Sequence, residues 1–322
     1  MDTRAVTQIS KPEIQEAKTT LKATYREKTW NVIVGCSRVS AGCDNCYAIS
    51  ECRRMSKNPG VTRKHGVNPY HELVQIRNGS MDFSGKLHFF EDRLETPLQV
   101  KHPTVWFVNS LSDMYHREVS LDTLKRIFDV MNRAEWHIFD ILTKRTDRMA
   151  ELADKLTWTP NIWQGVTFEG IPENMPEGQR KAVLSRIPAL RQHPASVKFI
   201  SFEPLIGPIP PDLDLTGIDW AFFGGESHQT TLKARVMDLE WLRDGIALCQ
   251  SYACKPHVKQ LGTSWAVSSG NYPPQPGTDR GLYGEYRMGK RSNLWPEDLR
   301  TYAIRSLREV TPDDLLCSSL PR

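Results

Sequence analysis

The fold is decided by the stretch Val105–Arg145, VWFVNSLSDMYHREVSLDTLKRIFDVMNRAEWHIFDILTKR. It opens on a short β-branched and aromatic run, Val105–Asn109, and nears its end on a second, Ile138–Leu142. Between them Leu121–Arg133 carries apolar residues at helical spacing, and Ser120 stands where a capping side chain belongs. A strand, a helix and a second strand in this order form a β/α/β unit, so the two strands are expected to lie parallel in one sheet.

The same alternation runs outward in both directions. Strands are expected at Trp30–Gly35, Lys86–Phe90, Ile162–Thr167, Val197–Phe202, Trp220–Phe223 and His257–Gln260. Helices are expected at Tyr47–Met55, Asp147–Lys155, Glu177–Arg186 and Leu239–Cys249, with Thr146 and Asp238 as further caps. Short, mostly apolar strands suit a parallel sheet buried on both faces. Together with the first two they predict an α/β fold, a full or partial (β/α) barrel, with an open doubly wound sheet as the competing arrangement. A barrel collects function where its strands end. The residues at those ends are Cys36, then Ser110, Ser112 and Asp113, then Thr143, Lys144 and Arg145, then Glu169, Glu203, Gly224, Gly225 and Glu226, and finally Lys259 and Gln260.

At 322 residues the chain has room for two domains of about 150, but β/α barrels run to about 250 residues as one unit. The reading is one barrel over residues 30–262, a polar N-terminal extension over 1–29 and a C-terminal extension over 263–322 rich in Pro, Gly and charge. Apolar residues make up 39%, enough for a core and against disordered, collagen-like or coiled-coil readings. A net charge of +4 singles out neither nucleic acid nor membrane as a partner. No run approaches the roughly 18 apolar residues of a membrane helix, and the first residues lack a basic start followed by an apolar stretch. A cytoplasmic protein is expected, and seven cysteines are too few for a disulfide scaffold of this length.

Three of those cysteines, Cys36, Cys43 and Cys46, lie within eleven residues in GCSRVSAGCDNCYA. Three thiols on one loop after a strand, with Gly35 and Gly42 to let the backbone curl, suit a soft metal or an iron–sulfur cluster. Structural zinc wants four protein ligands, and Cys52 is the nearest candidate for the fourth. In a helix beginning at Tyr47, six residues turn through about 600°, which puts Cys46 and Cys52 on different faces. Three thiols without a fourth is the arrangement of a [4Fe-4S] cluster with one iron left open.

The ordered segments TWNVIVGCSRVSAGCDNCYA, FVNSLSDMYH, ILTKR, VTFE, SFEPLIGP and GGES resemble the phage-associated three-Cys-motif family, a radical-SAM-like family. The resemblance spans about Thr29 to Gly262, and the CYA, SLSDMY and LTKR segments are more distantly similar to spore photoproduct lyases. It implies a β/α barrel of the radical SAM type with a [4Fe-4S] cluster on Cys36, Cys43 and Cys46 and S-adenosylmethionine on the open iron. Reductive cleavage would give methionine and a 5′-deoxyadenosyl radical that abstracts hydrogen from a substrate, with an electron donor as partner. Most radical SAM proteins have C-x₃-C-x₂-C, so the loop here is three residues longer.

The resemblance also implies cofactor contacts. Ser110, Ser112 and Asp113 could meet the methionine moiety, although Ser112 or Asp113 could equally cap a turn. Lys144 and Arg145 could bind a carboxylate or phosphate. Glu203 could hold an amino group or a substrate donor, and Gly224, Gly225 and Glu226 resemble the GGE segment that contacts the S-adenosylmethionine amino group. Trp106, Trp163 and Trp220 read as core residues. Among the histidines only His116, beside SDMY, is a site candidate. The basic segment Lys57–Asn78 could touch phosphates, which keeps a nucleic-acid substrate open. The alternative from a different class is a zinc-binding interaction module, without catalysis, that recruits a partner protein or nucleic acid. A third is a barrel that keeps the cluster for electron transfer or sensing.

Overall fold

The computed structural model describes residues 26–227, 234–270, 288–290 and 292–303. Seven strands form one sheet: β1 (Arg26–Trp30), β2 (Thr104–Val108), β3 (Ile138–Thr143), β4 (Ile162–Thr167), β5 (Lys198–Phe202), β6 (Trp220–Gly224) and β7 (Lys255–Gln260). All neighbours are parallel and follow chain order. A doubly wound sheet reverses its order so that helices cover both faces. Without a reversal, right-handed crossovers put the helices on one face, and the sheet curls its other face inward as a half-barrel.

The two faces have separate cores. On the outer face Trp106, Val108, Phe139, Ile141, Val166, Ile200, Ala221 and Phe223 pack under helices. Leu124, Ile127, Phe128 and Met131 of α3 (Leu121–Arg133) recur at three- and four-residue steps and bury that stripe. Ser120 caps α3 by accepting from the Thr123 amide, and Asp238 caps α7 (Leu239–Ser251) through the Glu240 amide. Thr146 lies inside α4 (Thr146–Leu152) and is not a cap. Glu177–Arg186 is divided into α5 (Glu177–Leu184) and α6 (Arg186–Arg191). On the inner face Val105, Ile138, Trp163, Phe199, Trp220 and Phe222 form a second cluster. That face is so tight at β4 that a Cβ on Gly165 would sit 2.1 Å from the Phe199 ring.

Two expected sheet strands have a different place. Ile33–Val34 pairs antiparallel with His88–Phe89, outside the main sheet, and the first sheet strand is the polar REKTW segment just upstream. The chain between β1 and β2 also contains α1 (Tyr47–Ser56), α2 (Pro59–His65) and the hairpin Val74–Arg77 with Ser80–Phe83. These build a small satellite core of Val34, Ile49, Tyr70, Leu73, Phe83 and Phe90, against which Cys36 and Cys46 pack. Beyond residue 262, α8 (Gly262–Ser268) continues the fold, and Trp295 and Leu299 are buried in the main core. Among the described residues no helix is long and apolar enough to cross a membrane.

Candidate functional site

The cysteine loop crosses the rim at the C-terminal ends of the strands. Gly35 turns it with φ +92°, and a Cβ there would stand 2.3 Å from the Lys86 carbonyl, so only glycine fits. A short 3₁₀ turn, Ala41–Cys43, leads to Cys46, which is the N-cap residue of α1. Cys36, Cys43 and Cys46 are free thiols, and Cys43 lies near enough to raise the thiol pKa of both others. Burial pushes Cys36 up to about 12, helped by Asp113 and opposed by Arg145, and burial also raises Cys46. Both are therefore neutral thiols at pH 7, and ligation would release their protons. Cys52 is fully buried in the satellite core.

As a donor set the loop suits a soft metal, since three thiols stand on one short segment. Among the described residues no group of three Cys, His, Asp or Glu side chains converges as a preformed ligand set. The thiols suit such a group by their chemistry, and ligation would require their side chains to turn toward a common point.

Strand ends from across the sheet reach this loop. From β3, Arg145 Nη2 donates to the Ser37 carbonyl at 2.8 Å and to Ser37 Oγ at 2.9 Å. His116 Nε2 lies 2.9 Å from the same hydroxyl, and burial lowers its pKa to about 4, so the ring is neutral. Beyond β4, Glu169 Oε1 accepts from the Gly42 amide, while Oε2 pairs with Arg186 Nη1 at 2.5 Å. Both partners of that pair are buried. Burial alone would raise the Glu169 pKa, but Arg186 and then Lys144 outweigh it and hold the carboxylate ionised. Beyond β6, Glu226 accepts from Asn45 Nδ2 at 2.8 Å and from the backbone and guanidinium of Arg235. Arg235 in turn donates to the Ala41 carbonyl at 2.9 Å.

The expected cofactor residues thus differ in what they leave available. Asp113 accepts from Thr143 Oγ1, the Lys144 amide and the Tyr115 amide, which makes it an organiser of the β2 and β3 ends. Ser110 Oγ bonds Asn31, and its carbonyl accepts from the Tyr47 hydroxyl. Ser112 Oγ is shielded and has no protein partner. Lys144 donates to Thr167 at 3.1 Å, and its Cε lies 3.3 Å from where a Gly42 Cβ would be. Glu203 Oε2 takes Lys259 at 2.8 Å and Ser201 at 3.2 Å. Gly224 makes room for Glu203, because a Cβ there would lie 2.6 Å from Oε1, and Gly225 makes room for the Leu261 carbonyl. Glu226 is engaged with Arg235 and Asn45.

Toward the strand ends the inner face carries ionisable groups, Asp140, Glu203 and Lys259. Tyr47 is 54% exposed and half of the Lys259 side chain is accessible. Asp140, on the inner face of β3, has a shielded Oδ1 without a hydrogen-bond partner, and burial raises its pKa to about 7 against the pull of Lys259. Arg186, Arg235, Asn45 and Asp140 were not expected as site residues. In the basic segment, Lys64 pairs with Asp92 and Arg77 lies 3.8 Å from Asp82.

A family model described as protein of unknown function (DUF5131) matches residues 20–297. The chain belongs to the DUF5131 family. The match takes in the loop, the whole half-barrel and α8 of this DUF5131 chain. Comparison with curated proteins and with solved structures gave no match.

Proposed function

We propose that this chain is a cytoplasmic, radical-SAM-like iron–sulfur enzyme, in which Cys36, Cys43 and Cys46 hold a [4Fe-4S] cluster and S-adenosylmethionine binds its open iron. The observation that carries the reading is three free thiols on one loop at the C-terminal rim of an all-parallel half-barrel. The cluster and S-adenosylmethionine, when bound, supply reductive cleavage to a 5′-deoxyadenosyl radical that takes hydrogen from a substrate, with electrons from a separate donor.

The chain's own residues bind and orient. Lys144 stands beside the loop, donating to the Thr167 hydroxyl and near the Glu169 carboxylate, and is placed to take the S-adenosylmethionine carboxylate as a point charge. Glu203, accessible on the inner face and paired with Lys259, receives an amino group or a substrate donor. Ser112 offers a hydroxyl without a protein partner. Asp113, Glu169 and Glu226 hold the rim together, and Gly224 and Gly225 let the backbone and Glu203 pack closely.

The test is anaerobic reconstitution followed by S-adenosylmethionine and dithionite, with 5′-deoxyadenosine as the readout. Cysteine-dependent formation is expected, and Lys144→Ala should raise the S-adenosylmethionine concentration needed by about tenfold, the loss of one charge-assisted contact. A fully loaded cluster without any cleavage would instead leave a barrel for electron transfer or sensing.

A further inference from the structure

The six residues between Cys36 and Cys43 are tied at both ends by an arginine that donates to a loop carbonyl. At the first end Asp113, 8% exposed, lies 3.7 Å from Arg145 Nε, and Arg145 donates to the Ser37 carbonyl. At the other end Glu226, 4% exposed, pairs with Arg235, and Arg235 donates to the Ala41 carbonyl. Each carboxylate is itself fixed, Asp113 by Thr143 and the Tyr115 amide and Glu226 by Asn45. Arg235 is aimed at its loop carbonyl by hydrogen bonds to an acid just beyond β6, and Arg145 stands at ion-pair distance from an acid just beyond β2. A charge-assisted bond to a neutral carbonyl is among the stronger contacts that a backbone can receive.

We propose that Arg145 and Arg235 are positioning residues that fix the long spacer to the sheet and so set where Cys36 and Cys43 stand relative to each other. The idea that they act for a cluster rests on the iron–sulfur reading; the tethering itself does not. Six residues between two thiols would otherwise sample many backbone arrangements, and each tether removes part of that freedom before any metal arrives. Arg145 comes from the β3 end and Arg235 from beyond the β6 end, so the spacer is held from two separate parts of the half-barrel.

The experiment is iodoacetamide labelling of the metal-free full chain under reducing conditions, with the rate read at each cysteine by mass spectrometry. Arg235→Ala should speed labelling of Cys43 by about tenfold, the factor that losing one such bond gives, and Arg145→Ala should speed labelling of Cys36 by less, because it also removes the cation that favours the Cys36 thiolate. Arg235→Lys, which keeps a donor, should recover part of the protection. Cys52, Cys249 and Cys254 are buried and report on the fold, so their rates should stay unchanged. Unchanged rates at Cys36 and Cys43 in the folded variants would overturn the proposal. A parallel rise at all these cysteines would also overturn it, because the arginines would then only stabilise the fold. If Arg145→Ala does not fold, Arg235→Ala and Arg235→Lys carry the test alone. Reconstituted Arg235→Ala should show a reduced-cluster EPR spectrum shifted from that of the parent. If neither protein takes up iron and sulfide while the labelling responds as expected, the iron–sulfur reading fails and the tethers stand.

Discussion

At the N-terminal ends of β4 and β6 the inner face is aromatic: Trp163 stacks on Trp220 with centroids 6.4 Å apart, and Trp220 stacks on His257 at 5.0 Å. A few residues on, the same strands lead to Glu169 and Glu226, each paired with an arginine and each holding part of the cysteine loop. At the first end apolar area leaves water, which stabilises the sheet without specifying any chemistry. At the second end charges are desolvated, which gives little or no net stability but holds a loop in one place. The half-barrel thus separates the part that holds it together from the part that is placed to react.

The largest expected effect breaks the aromatic end. Trp220→Ala removes a side chain that is 2% exposed and should cost about 3–5 kcal/mol of unfolding free energy, measured by urea denaturation. If the two ends are separate in function, the variant that still folds should load as much iron as the parent. A loss of loading out of proportion to the loss of folded protein would show that the ends are coupled.

A smaller effect sharpens the comparison at mid-strand, where Asp140 stands between the two ends. Its folded pKa of about 7 lies above the usual carboxylate value because of burial, with Lys259 pulling it down and Glu27 and Glu203 pushing it up. Below both pKa values neither folded nor unfolded chain has lost the proton, so no penalty exists. As the pH rises the unfolded chain ionises first, and stability falls until the folded pKa is passed. Asp140→Asn should therefore gain on the parent by about 2–4 kcal/mol between about pH 4 and about pH 8, read from urea denaturation at both. Parallel pH trends in the two proteins would mean that this carboxyl is solvated or paired.

Much of this arrangement was legible in the sequence. Strands β2 to β6 and helices α1, α3 and α7 lie within a few residues of their expected places because their periodicity is strong. The first strand was missed because REKTW is polar, pairs on one side only and sits beside the more apolar NVIV, which drew the reading downstream. The Pro, Gly and charge content of the C-terminal extension gives no sign of a core, yet Trp295 and Leu299 are 1% exposed. The cysteines and the strand-end acids were found because they follow apolar runs. Arg235 and Asn45 could not be, since single polar residues in loops give no local signal of what they touch. Arg186 did leave a trace, because it shares a buried helical stripe with Val183, Ile187 and Leu190, and a cation there calls for a buried acid.

The most direct test of the account is the iron and sulfide content of the anaerobically reconstituted protein beside its Cys36→Ala, Cys43→Ala and Cys46→Ala variants. The account predicts about four irons and four sulfides per chain in the parent and loss of both in each variant, with the fold retained. Stoichiometric zinc with no iron or sulfide would contradict it and make the loop a structural staple of a partner-binding module.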